Sequence, residues 1–344
     1  MNRSKQGPLP AKAGAADDRR FVLAVGAANM DIAGSGAKKL APGDSTPGQV
    51  RSAAGGVARN VAENLARLGH RVCLLSAVGD DLHGHSLLES TRTAGVDVRC
   101  CRVLGDAATS TYVSLHGPDG EMVAAVNDMA ILERITPEHL ARYASRVTNA
   151  AALMLDCNLS EAALAWLFAH ARDAPVFVDG VSAFKCRRVL PWLGRVFTLK
   201  ANRLEAQALW GRPVRSDAAV KAAARWLHAQ GVQQVVLSLG ERGVYWSESG
   251  RVSGRATESV QGRSAQGGTS GWHAAPPVIV ASATGAGDAL MAGLLHAYLH
   301  GVPLEQAVNF AVGCAAVTLT ADQANHPGLS VAKVQQLLGK ALTA

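Results

Sequence analysis

The sequence predicts an α/β fold: a mostly parallel, doubly wound sheet flanked by helices, with a small second β-sheet beside it. Three observations carry this. Short apolar runs alternate with helical patterns through residues 153–238, as expected of parallel strands joined by right-handed helical crossovers. Two further runs, residues 109–115 and 122–126, flank Gly117-Pro118-Asp119-Gly120, a hairpin signal with no helix attached. A glycine-rich loop, Thr284-Gly285-Ala286-Gly287-Asp288, opens a helical pattern that continues to His300.

Composition narrows the function class. The chain has 344 residues, 48% of them hydrophobic, and a formal net charge of +7, so it can bury a substantial core. Arg187, Arg188 and Arg225 sit in helical patterns and read as solvated faces. No Lys/Arg block is interleaved with aromatics, so nucleic acid is not an expected partner. No run of ~18 apolar residues is present, so a membrane is not expected either. Residues 1–20 are rich in Ala, Gly and Pro and lack an apolar leader core; they read as a disordered tail on a cytoplasmic protein. The six cysteines, at 73, 100, 101, 157, 186 and 314, have no paired spacing and are expected as free thiols. The eleven histidines are expected to be surface or packing residues with no metal-ligand pattern.

In chain order, residues 21–25 read as a buried first strand ending at Gly26. Asn29-Met30-Asp31 follows at its carboxyl end, where open α/β sheets place ligand groups; by itself Asp31 is equally a turn cap. Residues 33–54 and 106–128 are assigned to the small sheet, a lid over the main one. Gly55-Gly56 precede a helix with Val57, Val61, Leu65 and Leu68 on one face and Gly69 as its stop. Those glycines permit close backbone approach to a ligand, and Asn60 lies one turn in. Residues 72–78 read as a strand and 84–94 as a helix. Asn127-Asp128-Met129 marks the return from the lid, and an Asx-turn explains it as well as a binding role does. Strands are expected at 153–156, 176–179, 196–199 and 235–238, with helices at 161–172 and 217–230 between them. Residues 250–277 read as a surface excursion, and the last helices as 304–320 and 330–342.

The glycine-rich loop has a definite chemistry. Gly285 and Gly287, with Ala286 between them, let consecutive N–H groups point at one anion at a helix N-terminus. Asp288 stands beside that anion hole, which supplies a base for a hydroxyl attacking a phosphate. Asn202 and Glu205 have the spacing of a capping box, and Ser238-Leu239-Gly240-Glu241-Arg242-Gly243 that of a turn ending a strand.

The loop resembles the C-terminal signature of the ribokinase-like (PfkB) family of sugar and nucleoside kinases. Ala54 through Ala62 and Gly79-Asp80-Asp81 resemble the family's N-terminal signature, and the resemblance runs over about residues 21–342. It implies one ribokinase-like kinase domain, residues 21–344, using ATP and Mg²⁺. Asp288 would be the catalytic base and Gly285, Ala286 and Gly287 the anion hole. Asp31 would take ribose hydroxyls, with Gly55, Gly56, Asn60 and Asn127 also at the substrate. Asn202, Ser238, Gly240, Gly243 and Val312 would meet ATP, and Glu205 with Asn202 would hold Mg²⁺ through water. Ser282 stands where many members carry a carboxylate for a monovalent cation, so only weak dependence on K⁺ is expected. Ala201 replaces the usual proline before Asn202.

Asn127-Asp128-Met129, Asp179 through Lys185, Thr198-Leu199-Lys200-Ala201-Asn202, Gly271-Trp272 and Asn325-His326-Pro327 further resemble the family's bacterial pseudouridine-phosphorylating branch. Asp179-Gly180 departs from that branch's Asp-Pro. The acceptor implied is the 5′-hydroxyl of this C-nucleoside, with Asn127 able to donate to and accept from a uracil edge. The same chemistry on ribose, adenosine or another nucleoside is the alternative, and a non-catalytic nucleoside sensor is a third reading. The lid is the candidate surface for pairing two copies.

Overall fold

The computed structural model describes residues 21–250 and 268–341. The expected tail, 1–20, and residues 251–267 of the expected excursion lie outside the described residues.

The chain runs through β1 (Val22–Val25), β2 (Asn29–Gly36), β3 (Gly48–Gly55), α1 (Val57–Arg67), β4 (Val72–Leu75), β5 (Ala77–Gly79), α2 (Leu82–Thr93) and β6 (Arg102–Leu104). Then come β7 (Thr111–His116), β8 (Met122–Asp128), α3 (Pro137–Ala141), α4 (Ala144–Asn149), β9 (Ala152–Asp156), α5 (Glu161–His170) and β10 (Val176–Asp179). A 3₁₀ stretch leads to β11 (Thr198–Asn202), α6 (Arg203–Trp210), α7 (Asp217–Ala229), β12 (Gln234–Ser238), β13 (Val244–Glu248) and β14 (Ser270–His273). The helices α8 (Ala286–Leu299), α9 (Leu304–Leu319) and α10 (Val331–Ala341) finish it.

The main sheet has the order β14-β13-β12-β11-β10-β9-β1-β4. Every pairing from β4 to β12 is parallel; β13 and β14 close the edge antiparallel. All four residues of β1, β4 and β10 are buried, because helices cover both faces and no alternation with water survives. One apolar core includes Phe168 and Leu227 from α5 and α7; the other includes Leu65, Leu294 and Val308 from α1, α8 and α9.

Three elements depart from the sequence expectation. The strand expected at 72–78 is interrupted at the buried Ser76, whose hydroxyl donates to the Gly26 carbonyl at 2.7 Å; β5 then leaves the main sheet to pair with β6. The strand expected at 196–199 starts two residues later and runs on through Asn202. Part of the excursion expected at 250–277 is β14. Gly271 makes that pairing possible, since a Cβ there would stand 2.9 Å from the indole nitrogen of Trp246.

The second sheet, β3-β2-β7-β8, pairs β2 with β3 antiparallel, β2 with β7 parallel and β7 with β8 antiparallel. Residues directly opposite one another point to the same face. The register therefore sets Ala53, Asp31, Tyr112 and Asn127 in one row across all four strands. The adjacent row, Ser52, Ile32, Val113 and Val126, points to the opposite face.

Candidate active site

The carboxyl end of β1 is joined to the start of α1 by a buried carboxylate. Asp156, the last residue of β9, accepts from the backbone N–H of Ala27 at 2.8 Å and of Ala58 at 3.0 Å through one oxygen, and from Asn158 at 2.9 Å through the other. Burial pushes its pKa above the usual carboxylate value, against those three donors. Gly56, at φ 98°, brings the chain hard against the Ala27 carbonyl, where a Cβ has no room. These contacts fix where the first turn of α1 points.

That turn presents Asn60 to Asp288. The Asn60 amide nitrogen donates to Asp288 Oδ2 at 2.7 Å, while Asn60 Oδ1 accepts from Arg59 Nη1 at 2.6 Å. Arginine has no acceptor, so it compels the amide oxygen to face it and the NH₂ to face the carboxylate. Arg59 is itself buried and held by the carbonyl of Ala54 at 2.9 Å, Asn325 Oδ1 at 3.0 Å and an ion pair with Glu63. Burial lowers the Arg59 pKa to about 10, opposed by the charges of Asp31 and Asp288 on either side.

Asp288 sits in the first turn of α8, only 8% exposed. Burial raises its pKa to about 7, with the Asp179 charge adding to the rise and Lys200 and the Asn60 hydrogen bond opposing it. A carboxylate near neutrality is matched to accepting a proton from a hydroxyl. Gly285, at φ 80°, caps α8 and lies against the Ala324 carbonyl, so only glycine fits. A Cβ on Gly287 would stand 2.7 Å from Lys200 Nζ.

Lys200, on β11, is 6% exposed and pairs with Asp179 Oδ2 at 2.9 Å. Burial disfavours its charge, but Asp179, Glu205 and Asp288 together hold the ammonium charged, above the usual lysine range. One cation thus balances three buried carboxylates directly behind the candidate anion hole.

Asn202 and Glu205 form a full capping box on α6. Asn202 Oδ1 accepts from Leu204 and Glu205 N–H at 2.9 and 3.0 Å, and Glu205 accepts from the Asn202 backbone at 2.9 Å and its side chain at 2.6 Å. Burial raises the Glu205 carboxyl pKa, with Lys200 opposing the rise. Ser238 pairs with Asn202 across β11 and β12. Gly240 adopts φ 65° at an open turn, whereas Gly243 clears room for the chain's own residues 273–275. Val312, 5% exposed in α9, can offer a nucleotide only apolar packing. The Ser282 hydroxyl accepts from the Thr284 N–H at 3.2 Å.

On the small sheet, Asn29 donates to Asp31 Oδ1 at 2.6 Å. Burial raises the Asp31 pKa, while the Asn29 bond and the Arg59 charge lower it. Gly55 lies against the Asp31 carboxylate with no space for a side chain. Asn127 is exposed, two strands from Asp31 in the same row, with Tyr112 between them.

A family model described as pfkB family carbohydrate kinase matches residues 19–330. The chain belongs to this family. The kinase is 42% identical over 324 residues to the pseudouridine kinase of Escherichia coli (strain K12), covering 94% of this chain and 98% of that one. It is 38% identical over 330 residues to a sugar kinase of the same organism, covering 96% and 86%. Its structure matches a carbohydrate kinase from Agrobacterium tumefaciens with a TM-score of 0.75 at 29% identity, over 93% of this chain and 97% of that one. The fold is also that of Arabidopsis thaliana ribokinase complexed with ribose and ATP, with a TM-score of 0.79 at 21% identity over 93% and 98% of the two chains. An ATP-dependent phosphotransferase is therefore the enzyme class of this chain.

Three residues of the kinase's candidate site were not singled out as site residues from sequence: Arg59, Asp179 and Lys200. A usable signal was present. Lys200 interrupts an apolar strand, and a lysine there is almost never buried unless paired; Arg59 stands four residues before Glu63, the spacing of an ion pair on one helix face. For Lys200 the sequence offers no indication of the partner, Asp179, which lies on the neighbouring strand.

Proposed function

We propose that the kinase transfers the γ-phosphoryl group of ATP to the 5′-hydroxyl of pseudouridine. Residues 21–344 act as one domain, and the β3-β2-β7-β8 sheet is its lid. The observation that carries the chemistry is Asp288, oriented by Asn60 and with a pKa of about 7, at the N-terminus of α8. The similarity to the Escherichia coli pseudouridine kinase supports the acceptor.

In this reading Asp288 accepts the proton of the 5′-hydroxyl as its oxygen bonds to the γ-phosphorus. The bond from that phosphorus to the β,γ-bridging oxygen breaks, and ADP leaves. The amides of Gly285, Ala286 and Gly287 face the charge on the transferring group, with the Lys200 ammonium behind them. General-base assistance is worth ~100- to ~10,000-fold, and positioning with electrostatics supplies the larger remainder. The lid keeps water from competing as acceptor.

Asn202 and Glu205 are an all-oxygen acceptor set, which suits Mg²⁺. Their hydrogen bonds to each other and the burial of Glu205 fit a role through bound water. Mg²⁺ would neutralise charge on the ATP phosphates, beside Ser238 and the turn at Gly240.

Asp31 takes the ribose diol, which every ribosyl substrate shares. Asn127 and Tyr112, in the same row, face the base. A site that pairs polar groups with its substrate rejects an analogue that leaves them unpaired by factors up to ~10,000. Asp31→Ala is therefore expected to lower kcat/KM for pseudouridine, uridine and ribose alike. Asn127→Ala is expected to lower it for pseudouridine by ~10-fold or more and to leave ribose nearly unchanged. Equal losses on all three substrates would remove Asn127 from base recognition. The 38% identical sugar kinase favours a free sugar as the second reading, and a wild-type preference for ribose over pseudouridine in this profile would select it.

The lid face opposite Asp31 exposes Val50, Val113, Leu115 and Val126. Clustered apolar side chains on a sheet face mark an association surface, and two copies pairing through it would cover them. Sedimentation velocity of wild type and Val126→Lys tests this: a dimer that becomes a monomer in the variant is expected, and a wild-type monomer at micromolar concentration rejects the pairing.

A further inference from the structure

Away from the phosphoryl-transfer residues, three imidazoles converge at the far ends of α1 and α8. His296 lies in the last turn of α8 and His300 just beyond it, four residues on, so both project from one side of the helix. The expectation that no histidines carry a metal-ligand spacing does not hold for this pair. His70 joins them from the turn after Gly69, where α1 has ended. One ring nitrogen of each lies within 4.8 Å of one from each of the other two.

The hydrogen bonds determine which nitrogens are available. His300 Nδ1 lies 2.8 Å from the His296 backbone carbonyl. A carbonyl only accepts, so Nδ1 carries the proton and Nε2 presents its lone pair. That backing is how metal-bound imidazoles are commonly oriented. His70 Nε2 and His296 Nδ1 face each other at 2.8 Å with one proton between them, and the His296 ring is steadied by stacking on Phe310 at 4.7 Å between centroids.

We propose that His70, His296 and His300 form a binding site for one borderline divalent transition-metal ion, of which Zn²⁺ is the representative. Zinc binds imidazole at ~2.0–2.1 Å in tetrahedral geometry, which sets ligand nitrogens roughly 3.3 Å apart. The His70–His296 pair needs to open by about 0.5 Å and His300 to swing inward; His70 lies in a turn and His300 is exposed, so both can move. The exposed side leaves the fourth position for water. Asp288 is eight residues before His296 on α8, about 12 Å along the axis, so the ion does not enter the phosphoryl transfer. It clips together the far ends of the two helices whose near ends meet at Asn60 and Asp288. This site is independent of the acceptor proposed above.

Equilibrium dialysis of untagged protein against Zn²⁺, with wild type, His70→Gln and His300→Ala, tests the proposal. One zinc per wild-type chain is expected, with affinity at least ~10-fold weaker in each variant. Zinc at ~100 times the wild-type Kd is expected to raise the wild-type melting temperature by about 4 °C and that of His300→Ala by about half as much or less. The Co²⁺-loaded wild type is expected to show visible ligand-field bands without thiolate charge transfer, which separates the site from the six cysteines. Kinase turnover of His300→Ala without zinc is expected to match wild type, which shows the variant is folded. Zinc bound equally by both variants, thiolate bands in the cobalt spectrum, or no zinc bound by wild type each overturns the proposal; the last leaves a hydrogen-bonded packing cluster.

Discussion

Asp288→Asn is expected to lower turnover by at least ~100-fold while ATP affinity changes little. The amide keeps the size of the carboxylate and can still meet Asn60, so the loss isolates proton acceptance. In wild type the same group is expected to impose a rising limb on kcat/KM with its inflection near the Asp288 pKa of about 7, and that limb vanishes in the variant. Stability moves the other way. The folded pKa lies above the ordinary 3.8, so the protonated carboxyl stabilises the fold at low pH and that contribution is lost as pH rises through the folded value. Asp288→Asn is neutral throughout, so its melting temperature relative to wild type is expected to climb by several degrees between ~pH 5 and ~pH 8. Near-normal turnover in the variant would remove Asp288 from the role of base.

Lys200→Met is expected to lower turnover by about 100-fold or more, comparable to removing a donor from a site of developing negative charge. The thioether fills similar volume but leaves Asp179, Glu205 and Asp288 without their shared counter-charge. Breaking a buried pair in this way costs ~3–5 kcal/mol, and the pH-rate inflection assigned to Asp288 is expected to move upward because Lys200 holds that pKa down. A purely structural lysine would destabilise the protein without moving the inflection, so the pH profile discriminates. With an internal ammonium beside Gly287 and Ser282 in place of a carboxylate, the wild-type rate is expected to change only weakly on exchange of K⁺ for a bulky organic cation at equal ionic strength. A several-fold activation by K⁺ would show that the lysine does not suffice as the local cation.

What was legible in the sequence and what was not follows from the distance over which each feature is determined. The buried strands β1, β9, β10 and β12 stand out because helices cover both faces and leave unbroken apolar runs. The loop Thr284 to Asp288 stands out because its turn, its helix N-terminus and its acid are adjacent. Asn60 was legible only as one turn into a helix; its contact with Asp288 depends on Asp156 fixing that helix from 98 residues away. Lys200 was passed over because its meaning lies in Asp179 on the next strand. β14 was missed because it is a short edge strand whose pairing rests on a glycine beneath an indole. The His70–His296–His300 cluster needed two helices to be laid side by side.

Asn325 lies near the end of the chain, yet its side chain bonds both Arg59 and the Asn60 backbone, and the neighbouring Ala324 carbonyl closes on Gly285. Ribosomes extend a chain from the amino end at ~5–20 residues per second, so β1, α1 and most of the main sheet emerge long before these last contacts exist. A nascent chain halted short of Asn325 has Asp288 and its glycines but neither the brace on Arg59 nor the wall behind Gly285. The brace on the Asn60–Asp288 pair is therefore among the latest contacts that synthesis makes possible.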